Sequence, residues 1–345
     1  MQQITQDYLA NKAKELLNSG ICSRVFGWKR GEFDYDLTPA VFTTAEQIDR
    51  EFVYNGFCAA NFSKYLVNET RRDAGKVAVF LKPCDSYSFN QLLTEHRFDR
   101  EKVYAVGIPC EGMADINKVR QAVDGIAKLT FDENGNIIVE TLYDGTAKLD
   151  RNECMLERCI HCKSKRCVAY DELLGENGEV LDDSRFDEVK KLEAMTADER
   201  FAFWQGELSR CIRCNACRDA CPACTCEKCV FDNPASGVEN KAAADSFEEK
   251  MFHIIRAFHV AGRCTDCGEC SRVCPQHIPL HLLNRKFIKD INAFYGEYQA
   301  GAEEGSRAPI VNYTKDDIEP SAAVDRKSTR LNSSHRSLSR MPSSA

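Results

Sequence analysis

The chain has 345 residues, 43% of them hydrophobic, a formal charge of −7 and 19 cysteines. That length suffices for two ordinary domains with sizeable cores, and an acidic chain with no basic patch is a poor nucleic-acid binder. Residues 1–17 read as an amphipathic helix without the apolar core of a signal peptide, and no run approaches the ~18 apolar residues a membrane span needs. The expectation is a soluble, cytoplasmic protein. There, dense cysteine points to metal ligation or redox chemistry rather than to disulfides.

The first half reads as α/β. Residues 76–81 (KVAVFL) are a strand ending in Lys82-Pro83-Cys84-Asp85-Ser86, with a helical pattern through Leu92 and Leu93. The pattern repeats: residues 103–108 (VYAVGI) are a strand, followed by Pro109-Cys110-Glu111-Gly112 and a helix over 116–123. Strand, turn, helix, twice over, predicts a mostly parallel sheet with chemistry at the carboxyl ends of the strands. A hairpin follows, with strands at 128–131 and 136–142 around Asn134-Gly135. We divide the chain into an α/β domain (1–150), a cysteine-bearing connector (151–190), a helical two-cluster domain (191–300), a polar tail (301–324) and a terminal segment (325–345).

In the helical part, Thr196-x-x-Glu199 and Ser246-x-x-Glu249 are capping boxes. Phe201, Trp204, Leu208 and Cys211 follow the first at helical spacing. Phe247, Met251, Ile254, Ile255 and Phe258 make an apolar face after the second, His253 and His259 fall on its polar face, and Gly262 is a C-cap. A third helix carries Leu282, Leu283, Phe287, Ile288, Ile291 and Phe294. In the terminal segment, residues 325–335 and 339–345 match the translation of a sequencing adapter, so 325–345 is read as a scar. Removing its five basic residues and one acid moves the formal charge from −7 to −11.

Cys211-x2-Cys214-x2-Cys217-x3-Cys221-Pro222 has the ferredoxin spacing, and Cys264-x2-Cys267-x2-Cys270-x3-Cys274-Pro275 repeats it. Three thiolates at this spacing wrap one corner of a cubane, while the fourth, a turn later, faces the other cluster. The expected sets are therefore Cys211, Cys214, Cys217 and Cys274 for one 4Fe–4S cluster, and Cys264, Cys267, Cys270 and Cys221 for the second. Structural zinc normally pairs two C-x2-C units and does not run three cysteines on to a Cys-Pro. Forty-two residues between the runs, with a helix among them, predict a helical ferredoxin-type domain.

Cys154, Cys159, Cys162 and Cys167 form a third set whose spacing suits a third 4Fe–4S cluster or zinc. His161 within it is expected to hydrogen-bond a cluster sulfur. Cys224, Cys226 and Cys229 could line a cluster, bind another metal or be structural. Cys22 and Cys58 read as ordinary half-buried thiols. Cys84 and Cys110 sit in turns after strands, near predicted helix N-termini whose dipoles would lower a thiol pKa. They could be redox thiols, cluster ligands, flavin neighbours or small residues packed in tight turns.

Residues 252–283 (FHIIRAFHVAGRCTDCGECSRVCPQHIPLHLL) resemble the 4Fe–4S dicluster electron-transfer subunits of anaerobic bacteria and archaea. Lys82-Pro83-Cys84-Asp85 and Gly107-Ile108-Pro109-Cys110 resemble turns in the beta subunits of deazaflavin-reducing hydrogenases and dehydrogenases. They are also similar to subunits of anaerobic sulfite reductase, sulfhydrogenase and the flavin oxidoreductases that partner heterodisulfide reductase. Cys159 to Cys167, followed by Asp171-Glu-Leu-Leu-Gly175-Glu176, fits the same pattern, and the resemblance covers most of 70–295. It implies an electron relay among redox subunits such as a hydrogenase, a formate dehydrogenase or a heterodisulfide-reductase-like flavoprotein. It also suggests FAD near Gly107 and Cys110, although no G-x-G-x-x-G follows a strand. An alternative is an enzyme in its own right, reducing a deazaflavin or a disulfide in the N-terminal domain. A third is a zinc-stapled assembly protein.

Overall fold

The computed structural model describes residues 4–72, 75–181, 184–232 and 246–311. The second capping box, at Ser246 and Glu249, and the segment 325–345 lie outside the described side chains and residues. Helix α1 (Gln6–Asn18) leads into strand β1 (Arg24–Arg30), β2 (Leu37–Phe42), helices α2 (Ala45–Glu51) and α3 (Ser63–Glu69), then β3 (Val77–Leu81), α4 (Pro83–Thr94), β4 (Val103–Gly107) and α5 (Ile116–Ala122). The two expected strand–turn–helix units are β3–α4 and β4–α5. Every residue of β3 is buried, as a strand covered on both faces of a parallel sheet should be.

The sheet has five strands, in the order β2-β1-β3-β4-β8, where β8 is Glu172–Leu173. β1, β3, β4 and β8 run parallel, and β2 pairs antiparallel with β1. Pro39 sits in β2, where an edge strand can do without one ladder N–H. β8 comes from the expected connector, which thus supplies the fifth strand of the sheet. The hairpin forms as β5 (Ile126–Phe131) and β6 (Ile137–Thr141), and β7 (Thr146–Leu149) extends it to a three-stranded antiparallel sheet. This small sheet packs its own core of Phe57, Val119, Leu129, Ile137 and Val139.

After α6 (Glu157–Ile160) and β8 the chain is helical: α7 (Asp187–Ala194), α8 (Ala197–Ser209), α9 (Ala216–Asp219), α10 (Ser246–Val260), α11 (Glu269–Arg272) and α12 (Leu280–Tyr295). The Thr196 capping box forms: Glu199 N–H donates to Thr196 Oγ1 at 3.3 Å, and Thr196 N–H to Glu199 Oε2 at 2.8 Å. Gly262 ends α10 at φ +72°. The buried face of α10 is not the expected apolar one. Phe252, His253, Arg256, Ala257 and Val260 are buried, whereas Ile254 and Phe258 are exposed, as is Phe294 on α12. α10 is rotated so that its two polar side chains meet the cysteine runs. Among the described residues no helix is long and apolar enough to cross a membrane.

Candidate metal centres

Each cysteine run uses the same backbone. Arg213 and Asn215 have φ of 51° and 62°, and 53 positions later Asp266 and Gly268 have 56° and 64°. Two left-handed residues per run curl the chain around a centre before the short helices α9 and α11. Cys211, Cys214, Cys217 and Cys274, the first expected set, line one small cavity with Phe252 and His253. In the second set, Cys221 and Cys264 pack together beside Val260. Burial, with Cys221 close by, pushes the Cys267 thiol up to about 12.

Three side chains that spacing alone did not reveal reach these cysteines, two at a sulfur and one at a backbone carbonyl. His253, expected in solvent, is 2% exposed, and its Nε2 lies 3.2 Å from Cys211 Sγ. Burial, then Arg256 and Arg213, hold its pKa down to about 3, so the ring is neutral and can donate Nε2–H to the sulfur. Asn284 Nδ2 donates to Cys270 Sγ at 3.7 Å, inside the protein. Arg256 is 4% exposed and donates to the carbonyl of Cys217 at 2.9 Å. Burial opposes its charge, but Cys221, Cys270, Cys224 and Cys217 around it hold the guanidinium protonated. The periodicity signal for all three was a polar residue on an otherwise buried helix face.

The third set does not gather. Cys154 is buried in the core of the small sheet. Cys167 is buried beneath the main sheet, its Sγ 3.8 Å from Leu81 O and 3.7 Å from Ile108 O. Cys159 and Cys162 instead meet Cys84 and Cys110 in one pocket, with Lys82, Arg158 and Lys163. Spacing in sequence groups neighbours along the chain. Here the two strand-end turns lie side by side in the parallel sheet and bring remote thiols to the connector. The expected low pKa of Cys84 and Cys110 is not found: burial raises Cys84 well above 9 and Cys110 to about 11. Cys84 is in the first turn of α4, yet Asp85 beside it adds to burial, and Cys110 lies in a loop six residues before α5. His161 donates to no sulfur; its Nε2 faces Glu157 at 3.4 Å.

Buried ion pairs join this pocket to the second run. Arg158 Nη1 contacts Glu269 Oε2 at 2.9 Å and donates to Cys267 O at 2.6 Å, while Nη2 donates to Ala59 O. Glu269 also accepts from Arg272. Asp266 is held between Arg185 at 2.9 Å and Arg285 at 2.8 Å, well below the usual carboxylate range. Gly268 is needed here twice over: its φ is positive, and a Cβ would come 2.6 Å from Arg158 Cβ. Asp266 and Cys267 line the four-thiol pocket itself. In the first run, by contrast, Cys214 and Ile212 face solvent.

Two further cavities adjoin these centres. One of about 710 Å³, lined by Tyr54, Asn55, Pro109, Glu111 and Arg151, shares Gly112 and Met113 with the four-thiol pocket. Gly107, expected beside a flavin, does not line it; Leu173, Tyr170 and Cys167 cover it. The other, a groove of about 360 Å³, is lined by Cys224, Cys226 and Cys229 with Lys64, Arg218 and Arg263. The adjacent Cys224 thiol favours the Cys221 thiolate, whose pKa it draws below the usual thiol range. Cys22 and Cys58 are fully buried thiols.

All 19 cysteines are free thiols, so nothing covalent competes with metal. The donor set fits iron–sulfur: clustered thiols, a buried N–H aimed at a sulfur in each run, and a buried Arg256 whose Nε has no partner among the described residues. Residues 207–278 match the family profile of the 4Fe–4S dicluster domain. The beta subunit of F420-dependent formate dehydrogenase from Methanocaldococcus jannaschii is 25% identical, over 80% of this chain and 87% of that protein. The F420-dependent formate dehydrogenase 1 subunit beta of Methanococcus maripaludis is 25% identical, over 84% of this chain and 89% of that protein. A chain of the F420-reducing [NiFe] hydrogenase complex from Methanosarcina barkeri aligns over 55% of this chain and 74% of its own, at 14% identity and a TM-score of 0.37, too slight a likeness to bear on the fold. The chain thus carries a 4Fe–4S dicluster domain and is a homologue of the beta subunits of F420-dependent formate dehydrogenases, an iron–sulfur electron-transfer protein.

Proposed function

We propose that this chain is a three-centre electron relay within a larger redox complex. Cys211, Cys214, Cys217 and Cys274 hold the first 4Fe–4S cluster, and Cys264, Cys267, Cys270 and Cys221 the second. Cys84, Cys110, Cys159 and Cys162 hold the third, with Cys154 and Cys167 serving the fold. When loaded, these clusters supply one-electron transfer at potentials that their surroundings set. The residues contribute the rest. Arg158, Lys82 and Lys163 offset the negative charge of the third site, and the Arg158–Glu269 and Asp266 pairs fix it against the second run.

Exposure supports a direction. Cys214 and Ile212 open the first site to a partner subunit, while the second site is closed over by the first domain. The relay then ends at the cavity beside the four-thiol pocket, whose size suits a planar redox cofactor. By analogy with the F420-dependent relatives, that cofactor is a flavin or a deazaflavin. The partners are a hydrogenase, a formate dehydrogenase or a heterodisulfide-reductase-like flavoprotein.

The observation that carries the reading is the meeting of Cys84, Cys110, Cys159 and Cys162 in one pocket that Cys267 also lines. Anaerobic protein reconstituted with iron and sulfide is expected to hold on the order of twelve irons per chain. Cys84→Ser or Cys159→Ser should lose about a third of them, and Cys154→Ser none. Wild-type iron in Cys84→Ser, or a loss in Cys154→Ser, would remove the third centre. Zinc without sulfide would remove the relay altogether. A second reading, catalysis within this chain, is favoured by the same cavity. It predicts a yellow chromophore on the purified protein and turnover without a partner.

A further inference from the structure

We propose that Arg256 is a counter-charge shared by the two dicluster sites, setting the reduction potentials of both clusters together. The inference rests on the ligand sets proposed above. It starts from a mismatch: Arg256 is 4% exposed, and its one hydrogen bond among the described residues is to a backbone carbonyl, that of Cys217. It forms no ion pair with any described carboxylate, and its Nε is buried without a partner. Three buried arginines around the second run do have acids: Arg158 has Glu269, and Arg185 and Arg285 share Asp266.

A buried guanidinium without an acid is costly unless another anion lies close. The groups that surround this one are thiols from both runs: Cys217 of the first set, Cys221 and Cys270 of the second, and Cys224 next to Cys221. A cluster held by four thiolates is anionic and gains one more negative charge on reduction. The compensating charge is therefore the metal centres themselves: Arg256 bonds to Cys217 of the first set and lies within electrostatic reach of Cys221 and Cys270 of the second. Its position follows from α10. Phe252 and Val260 anchor the helix in the packed interior, and the intervening turn points Arg256 between the two cysteine runs.

The step concerned is transfer of one electron from a low-potential donor onto either cluster, with no proton moved and no bond made or broken. A fixed positive charge beside both favours the reduced forms of both. His253 differs, because its Nε2 reaches Cys211 alone. Its influence is confined to the first cluster.

The test is an electron-paramagnetic-resonance redox titration of the full chain, loaded anaerobically, with iron and sulfide content measured alongside. Arg256→Gln keeps a donor for the Cys217 carbonyl and removes the charge. Both clusters should become harder to reduce by at least tenfold in equilibrium constant, which is 59 mV for one electron. Arg256→Lys should stay within threefold of the parent at both. His253→Phe should move the first cluster only. The inference is overturned if Arg256→Gln, with parental iron, leaves either potential within threefold, or if Arg256→Lys falls as far as Arg256→Gln. Should Arg256→Gln fail to hold clusters, the Lys variant decides alone, since displaced potentials there overturn the inference and retained ones support it. A parent chain that loads no iron–sulfur clusters would instead sink the reading on which the inference rests.

Discussion

Replacing Glu269 by glutamine tests whether the two domains are held as one electron path. The carboxylate is 3% exposed and accepts from Arg158 at 2.9 Å, from Arg272 and from the Asn61 N–H at 3.3 Å. Burial alone would raise its pKa, but Arg272 and then Arg158 bring it from 4.5 down to about 2. A shift of that size corresponds to roughly 3 kcal/mol of folding free energy. Because the folded-state pKa is the depressed one, this contribution is complete above pH 4.5 and is lost as pH falls towards 2. An experiment at pH 7 therefore reads all of it. Mutational experience with buried pairs gives the same scale, about 3–5 kcal/mol when one partner is removed, because the other charge stays behind. Here the stranded group is Arg158, 7% exposed in its side chain. Guanidinium unfolding of the loaded protein under anaerobic conditions, followed by far-UV dichroism, should lose about 3 kcal/mol in Glu269→Gln. Adding Arg158→Met should cost much less than the sum of the two single changes. A loss under about 1 kcal/mol, or additive losses, would refute the account of the junction.

Gly268→Ala should destabilise the chain by about 2 kcal/mol, since a Cβ meets Arg158 on top of the left-handed strain. Asn215→Ala, at the matching position of the first run, should cost about 1 kcal/mol or less in the same unfolding assay. Thr196→Ala removes the α8 cap and should cost about 1 kcal/mol without changing iron content, because the cap is exposed and remote from the thiols. Lys82→Met strands Asp85, its fully buried partner at 2.7 Å, and should lower stability by about 3 kcal/mol, with loss of third-site iron read by metal analysis.

What was legible in the sequence divides along a physical line. The strands β3 and β4 announced themselves by continuous apolar runs, and the Thr196 cap by its box. The dicluster runs did so by a spacing that only wrapping a small centre requires. β1 and β2 were not anticipated, because Gly27, Trp28 and Pro39 break the alternation that marks a strand, and β8 has two residues. The third thiol set is dispersed in the structure for a deeper reason. Spacing carries information only when the ligands come from one local stretch. Cys84, Cys110, Cys159 and Cys162 are brought together by the order of strands in a parallel sheet, which no local pattern encodes. The buried face of α10 departs from its apolar stripe because apolarity alone does not decide burial. His253 and Arg256 win that face over Ile254 and Phe258 because hydrogen bonds and charge next to thiolates outweigh two apolar side chains; Ile254 lines a groove with Phe201 and Trp204, and Phe258 packs edge-on against Phe287.

The same contrast explains why two runs of identical spacing differ in the residues between their cysteines. Between the first three cysteines of the first run these are Ile212, Arg213, Asn215 and Ala216, and Ile212 is 55% exposed. In the second they are Thr265, Asp266, Gly268 and Glu269. Thr265 meets Ser88 at 2.8 Å, Asp266 and Glu269 are each gripped by two arginines, and Gly268 makes room for Arg158. Ligand spacing constrains only the cysteines, so the intervening positions are free to respond to whatever faces them. In one copy that is solvent, and in the other it is Ser88 and Arg158 on one side and Arg185 and Arg285 on the other. Electron transfer is steep in distance, and the Ser88–Thr265 contact and the Arg158 bonds to Glu269 and Cys267 O hold the second run against the four-thiol pocket. The chemistry of the second run is therefore inseparable from its packing. A substitution at Asp266 or Glu269 should disturb transfer between the domains while leaving the first cluster's potential where it was.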